Sequence, residues 1–140
     1  MPKPDRSSRP HCRFNGNLEV HEILADVDLS GVNLVVLSAC GTARGARSGG
    51  DEIVGLTRAV MYAGAPGVIS TLWDIDDDAS ADLIEDFYTR LRQGASAADA
   101  LRQAQLAMLR RAPYTNPRFW AAFSLSGNPA GRWAPVAATR

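Results

Sequence analysis

Cys40 is the side chain in this 140-residue chain whose type and setting point most directly to chemistry. It follows the apolar run Asn33-Leu-Val-Val-Leu-Ser38 and precedes a stretch carrying Gly41, Gly45, Gly49 and Gly50. A residue just past a buried strand of a parallel sheet stands at the edge where open α/β folds build their sites. A thiolate there can attack a carbonyl, and an unobstructed backbone N–H beside it, with Gly41 the nearest, can stabilise the resulting oxyanion. The alternative is a small cysteine that packs the strand end, followed by a glycine-rich connector. Position alone leaves the two evenly matched.

A second apolar run, Gly67 to Trp73, is followed by Asp74, Asp76, Asp77 and Asp78. If the two runs are neighbouring strands of a βαβ unit, these carboxylates leave the same sheet edge as Cys40. They would favour a basic group on a substrate, and they would also hold the thiol protonated, so activation needs a cation. Acidic residues at this point equally suit the first turn of a helix. That role is assigned to Asp78, with Asp77 beside it, and Asp74 and Asp76 are left as the better site candidates. The usual base for a cysteine is histidine, and the chain has His11 and His21. His11 lies in an irregular leader and His21 in a short amphipathic helix, so neither completes a dyad on this reading. Arg44 and Arg47 in the glycine stretch suggest a phosphate cradle, but the spacing fits neither the Gly-Lys-Ser/Thr ending nor the dinucleotide fingerprint. No metal or cofactor is expected.

The elements that must position these residues follow from periodicity. Leu18 to Ala25 forms a short helix. Asn33 to Ser38 and Gly67 to Trp73 are strands buried on both faces, parallel to each other, with a helix between them on Ile53, Leu56, Val60 and Ala63 that stops at Gly64. A helix capped by Asp78 buries Leu83, Ile84, Phe87, Tyr88 and Leu91 and ends near Gly94. Ser96 and Asp99 have capping-box spacing and open a further helix with Ala97, Leu101, Ala104 and Met108 inward, ending before Pro113. Phe119 to Leu125 reads as a third strand. Residues 1–16, with Pro2, Pro4 and Pro10, read as a disordered leader, and residues 129–140 as a flexible tail. A central strand needs a neighbour on each side, and nothing before Asn33 offers one, so an upstream part of the sheet is expected to be missing and the exposed strand to favour self-association.

Composition sets the outer bounds. Fifteen basic and fifteen acidic residues give zero formal charge, which carries no electrostatic footprint for nucleic acid. The apolar stretches, Leu34 to Leu37 among them, fall far short of the roughly 20 residues of a membrane span. The first ten residues lack the apolar core of a secretory signal, which makes the cytoplasm the expected compartment.

Five blocks in order resemble the CHAT domain, a caspase- and separase-related bacterial module usually joined to tetratricopeptide repeats. They are Leu34 to Thr42 around the cysteine, with Gly41 where glutamate is common, then Gly55 to Gly64, Ser70 to Asp77, Ala100 to Gln105 and Phe119 to Phe123. The resemblance runs over residues 17–128. It implies a caspase-like three-layer α/β sandwich with a mainly parallel sheet, here without its amino-terminal strands, and Cys40 as nucleophile of a His–Cys peptidase dyad. By the same comparison the family's histidine falls upstream of Gly16, so His21 is not its counterpart, and the chain alone is expected to be inactive. Separase-like recognition of arginine makes Asp74, Asp76 and Asp77 candidate specificity residues. The implied partners are a polypeptide substrate and a protein, such as a tetratricopeptide-repeat segment or a chain supplying the histidine. The alternative is a non-catalytic interaction module of a bacterial signalling or defence system.

Overall fold

A computed structural model of the chain describes residues 19–37 and 49–130, with residues 49–52 by backbone alone. The elements run α1 (Val20–Asp26), β1 (Val35–Leu37), α2 (Gly49–Tyr62), β2 (Gly67–Thr71), α3 (Asp77–Arg92), α4 (Ala97–Leu109), a 3-10 turn at Pro117–Phe119, and β3 (Phe123–Gly127). The strands form one sheet in the order β1-β2-β3. β1 pairs parallel with β2, Val36 opposite Ile69, and β2 pairs antiparallel with β3, Ile69 opposite Leu125.

Alternation along the strands divides the apolar residues between two clusters. Val68 joins Ile23 of α1 and Ala59 and Val60 of α2, with Val35 and Leu37 packed beside them. Ile69 and Phe123 join Leu83, Phe87 and Leu91 of α3 and Leu101, Ala104 and Met108 of α4, with Leu34, Val36 and Leu125 alongside. Every residue of β2 is buried, whereas β1 is only partly so. The fully two-faced strand among the described residues is therefore β2, not the Asn33–Ser38 run expected to be central.

The expected helices all form, and their ends follow from local chemistry. Ser96 caps α4 by accepting from the Asp99 N–H at 3.1 Å, and its hydroxyl donates to the Asp99 carboxylate at 2.8 Å. Gly64, two residues after α2, has φ +112°, and a Cβ there would sit 2.8 Å from the Ser30 nitrogen. That close approach lets the Leu29 N–H reach the Ala63 carbonyl at 2.7 Å and ties the α1–β1 connection to the end of α2. The α3 cap differs from the expectation: Asp76, not Asp78, accepts from the Ala79 N–H at 3.1 Å. Asp77 and Asp78 fill the first turn, where their charge suits the positive helix end.

The third strand also departs from the expectation. Phe119 belongs to the 3-10 turn and pairing begins only at Phe123, because the Phe119 to Ala122 stretch is held from the side. The Trp120 and Ala121 N–H groups donate back to the Pro117 carbonyl at 3.2 and 2.8 Å, and the Gln105 side chain of α4 donates from Nε2 to the carbonyls of Trp120 at 3.2 Å and Phe123 at 3.0 Å. Among the described residues the sheet is thus mixed, with one parallel and one antiparallel pair; the mainly parallel sheet is the expectation for the family's complete domain.

Candidate functional site

Parallel pairing of β1 and β2 places Leu37 and Thr71 at one end of the sheet, with Leu37 opposite Ser70. The expected strand Gly67–Trp73 stops at Thr71 and turns outward. Thr71 and Ile75 are buried, while the three residues between them, Leu72, Trp73 and Asp74, are exposed. This short ridge is fixed at several points. The Leu72 N–H donates to the Ala122 carbonyl at 2.9 Å, and the Trp73 indole N–H donates to the Arg118 carbonyl at 3.1 Å. Arg118 is itself held in the 3-10 turn, where its N–H donates to the Asn116 side chain at 2.9 Å. Beyond the ridge, the Asp76 cap and buried Ile75 begin α3.

The candidate residues divide accordingly. Asp74 stands exposed on the ridge, Asp76 is committed to the helix cap, and Asp77 is exposed in the first turn of α3. Asp74, Asp76 and Asp77 thus share the carboxyl end of β2. Cys40, Gly41 and His11 lie outside the described residues. His21 is on α1 with 76% of its side chain exposed, its Nδ1 3.2 Å from the Glu19 carboxylate. Sequence reasoning missed Leu72 and Trp73 as surface residues because an apolar run gives no sign of where it leaves the sheet. The sequence signal was the change from Trp73 to Asp74, which marks the last residues of the run as a strand exit.

A separate groove of about 360 Å³ lies between α3 and α4, lined by Asp82, Asp86, Arg90, Ala104 and Arg111 among others. Its charges are largely paired: Asp86 with Arg90 at 3.0 Å and Asp82 with Arg111 at 3.1 Å. None of residues 72–78 lines it. Tyr114, whose ring lies 5.6 Å from the Arg111 guanidinium, has its phenol pKa raised by partial burial and by the carboxylates of Asp82, Asp78 and Asp76, with Arg111 opposing. Among the described residues, no group of three or more His, Cys, Asp or Glu could hold a metal ion, and no helix is long and apolar enough to cross a membrane.

The CHAT domain family profile matches residues 5–128. The chain belongs to the CHAT domain family. The match begins ahead of residue 17, where the motif resemblance starts, and reaches the residue after β3. The chain is similar to Tetratricopeptide repeat protein 28 of Mus musculus, 38% identical over 105 residues that make up 75% of this chain and 4% of that protein. The Homo sapiens protein of the same name is 36% identical over 78 residues, 56% of this chain and 3% of that one. The CHAT chain therefore spans a small fraction of the relatives it matches. No solved structure gives a significant match.

Proposed function

We propose that the chain is the carboxyl-terminal portion of a caspase-like cysteine endopeptidase module in which Cys40 is the nucleophile. The observation that carries this reading is the parallel β1–β2 pair, which sends the segment after Leu37 and the acidic ridge after Thr71 from the same sheet end. In this arrangement the thiolate attacks the scissile carbonyl, the Gly41 N–H helps hold the oxyanion, and Asp74 and Asp77 favour a basic side chain before the cut. The apolar clusters on the two faces of the sheet support the three-layer caspase-like fold for the completed domain. The reading takes the dyad histidine from outside the described residues, since His21 lies on α1 with 76% of its side chain exposed and its Nδ1 3.2 Å from the Glu19 carboxylate.

The test is turnover of an arginine-ended fluorogenic peptide. The chain alone should give background hydrolysis. Adding a CHAT segment that carries a strand and a His-Gly sequence should produce turnover that Cys40→Ala abolishes. Turnover by the chain alone, lost in Cys40→Ala and in His21→Ala, would overturn the dependence on another chain. A non-catalytic interaction module is favoured by a different observation: among the described residues β1 has no strand on its outer side. Tight association with a partner and no hydrolysis in any combination would support that reading. The family names of the relatives make a tetratricopeptide-repeat segment a suitable partner to test first.

A further inference from the structure

Leu72, Trp73 and Asp74 leave the sheet as a short span between buried Thr71 and buried Ile75. Leu72 is 54% exposed, Trp73 is 41% exposed, and Asp74 is exposed as well. Packing therefore does little to fix the direction of this span, and directed hydrogen bonds must do so. The Leu72 N–H continues the ladder to the Ala122 carbonyl at 2.9 Å. One residue later the Trp73 indole N–H donates to the Arg118 carbonyl at 3.1 Å, a partner 45 positions away in sequence. That carbonyl sits on a stiff mount. Asn116 caps the 3-10 turn by accepting from the Arg118 N–H at 2.9 Å, and its own carbonyl accepts from the Phe119 N–H at 3.1 Å. Pro117 opens the turn with a φ that its ring restricts, and its carbonyl takes the Trp120 and Ala121 N–H groups. Upstream, Tyr114 packs edge-on against Phe119 and Arg111 pairs with Asp82 of α3. The connection from α4 to β3 is thus tied to α3 and to β2, and it offers the indole a fixed acceptor. Residue 118 contributes a backbone oxygen to this tie, and its side chain contributes nothing to it.

We propose that Trp73 and Asn116 are positioning residues for the exit of β2. The Asn116 cap presents the Arg118 carbonyl, the carbonyl holds the Trp73 indole, and the held indole sets the direction in which the backbone of residues 72–74 leaves the sheet. Both residues act through other groups. A direction set before binding removes an ordering cost from substrate association, whatever side chain the substrate brings. The inference rests on the peptidase reading for the use of this exit by a substrate. The tie itself is measured without turnover.

The experiment is nuclear magnetic resonance of the full chain, reading nitrogen relaxation and indole N–H exchange in Trp73→Phe, Asn116→Ala, Asn116→Asp and Arg118→Ala. The Trp73 indole signal is the one that Trp73→Phe removes. In Asn116→Ala its exchange with water should quicken about threefold to tenfold, the size expected for one hydrogen bond. The order parameters of the Leu72, Trp73 and Asp74 amides should fall from about 0.85 toward about 0.6 in Trp73→Phe and in Asn116→Ala. Asn116→Asp still accepts from the Arg118 N–H and should restore the parent values. Arg118→Ala keeps the carbonyl and should leave them unchanged. The Trp120 indole N–H, buried and without a partner, is the reference for general loosening. Equal acceleration at Trp120, parent-like order in Trp73→Phe, or a loss in Arg118→Ala as large as in Asn116→Ala would each overturn the positioning role. In the complemented peptidase assay, Trp73→Phe and Asn116→Ala should raise KM about threefold to tenfold with kcat within about twofold of the parent. An unchanged KM beside reduced order would overturn the role toward substrate. No turnover by the parent in that assay would overturn the peptidase reading alone, and the relaxation data would still decide the tie.

Discussion

At the scale of single residues, the aspartates after β2 do different work although they are identical in type and nearly adjacent. Asp76 closes the first turn of α3 through the Ala79 N–H, so its carboxyl group is a structural acceptor. Asp76→Ala should lower stability by about 1 kcal/mol, while Asp76→Ser, which also caps, should cost less than half as much. Chemical denaturation of the two variants measures this. If Asp76→Ser is as damaging as Asp76→Ala, the cap is not what the side chain contributes. Asp74 has no such duty, and Asp74→Asn should leave stability within about 0.5 kcal/mol of the parent chain. The cap was misassigned to Asp78 from sequence because four acidic residues in five positions fit several frames of the capping pattern. Ile75, whose side chain is buried in the core just before Asp76, selects the frame.

At the scale of elements, α3 and α4 form a hairpin whose open end is closed by Asp82–Arg111 and by Tyr114 packed edge-on against Phe119, the ring centroids 5.6 Å apart. The raised Tyr114 pKa makes this junction sensitive to alkali. The folded state favours the neutral phenol, so the contribution is complete below the ordinary phenol pKa of 10.0 and is lost as pH rises through the higher folded value. Denaturation between pH 9 and 11 should therefore show a steeper loss of stability in the parent chain than in Tyr114→Phe, and the phenolate absorbance missing from Tyr114→Phe should titrate above that of an exposed tyrosine. Equal pH slopes would show that the junction does not discriminate the two forms. The helices of this hairpin were legible in the sequence because their apolar residues recur with helical spacing and Ser96 announces its own cap. The strand limits were less so: Leu72 and Trp73 look like strand residues by composition, and the stretch from Phe119 is taken into a 3-10 turn capped by Asn116 and continued by the Trp120 and Ala121 N–H groups donating to the Pro117 carbonyl. The antiparallel direction of β3 is likewise fixed by where the hairpin returns the chain, which no local pattern encodes.

At the scale of the molecule, the described sheet has an apolar outer strand without a charged residue in Val35–Leu37, and the chain has no net charge to keep copies apart. Association through that edge is expected, and sedimentation velocity of the full chain should show species larger than a monomer. Val36→Lys, which places a charge on the strand, should shift the population toward monomer. A parent chain that stays monomeric at 100-fold dilution range and high concentration would count against an available edge. One consequence of the sheet order concerns how the domain is reached in time. β2 and β3 are neighbours in the sheet, yet the whole α3–α4 hairpin separates them in sequence. Closing a flexible segment of that length costs about 3–4 kcal/mol by the (3/2)RT ln n rule before any strand contact repays it. A hairpin formed first would bring Thr71 and Phe123 together in advance, and helix–helix packing is then expected to act as the kinetic clasp for the strands. Phe87→Ala should accordingly slow refolding by most of its equilibrium cost, whereas Ile23→Ala, on the other face, should chiefly speed unfolding. Stopped-flow rates for the two variants would show whether the antiparallel pair waits for the helices that lie between its strands.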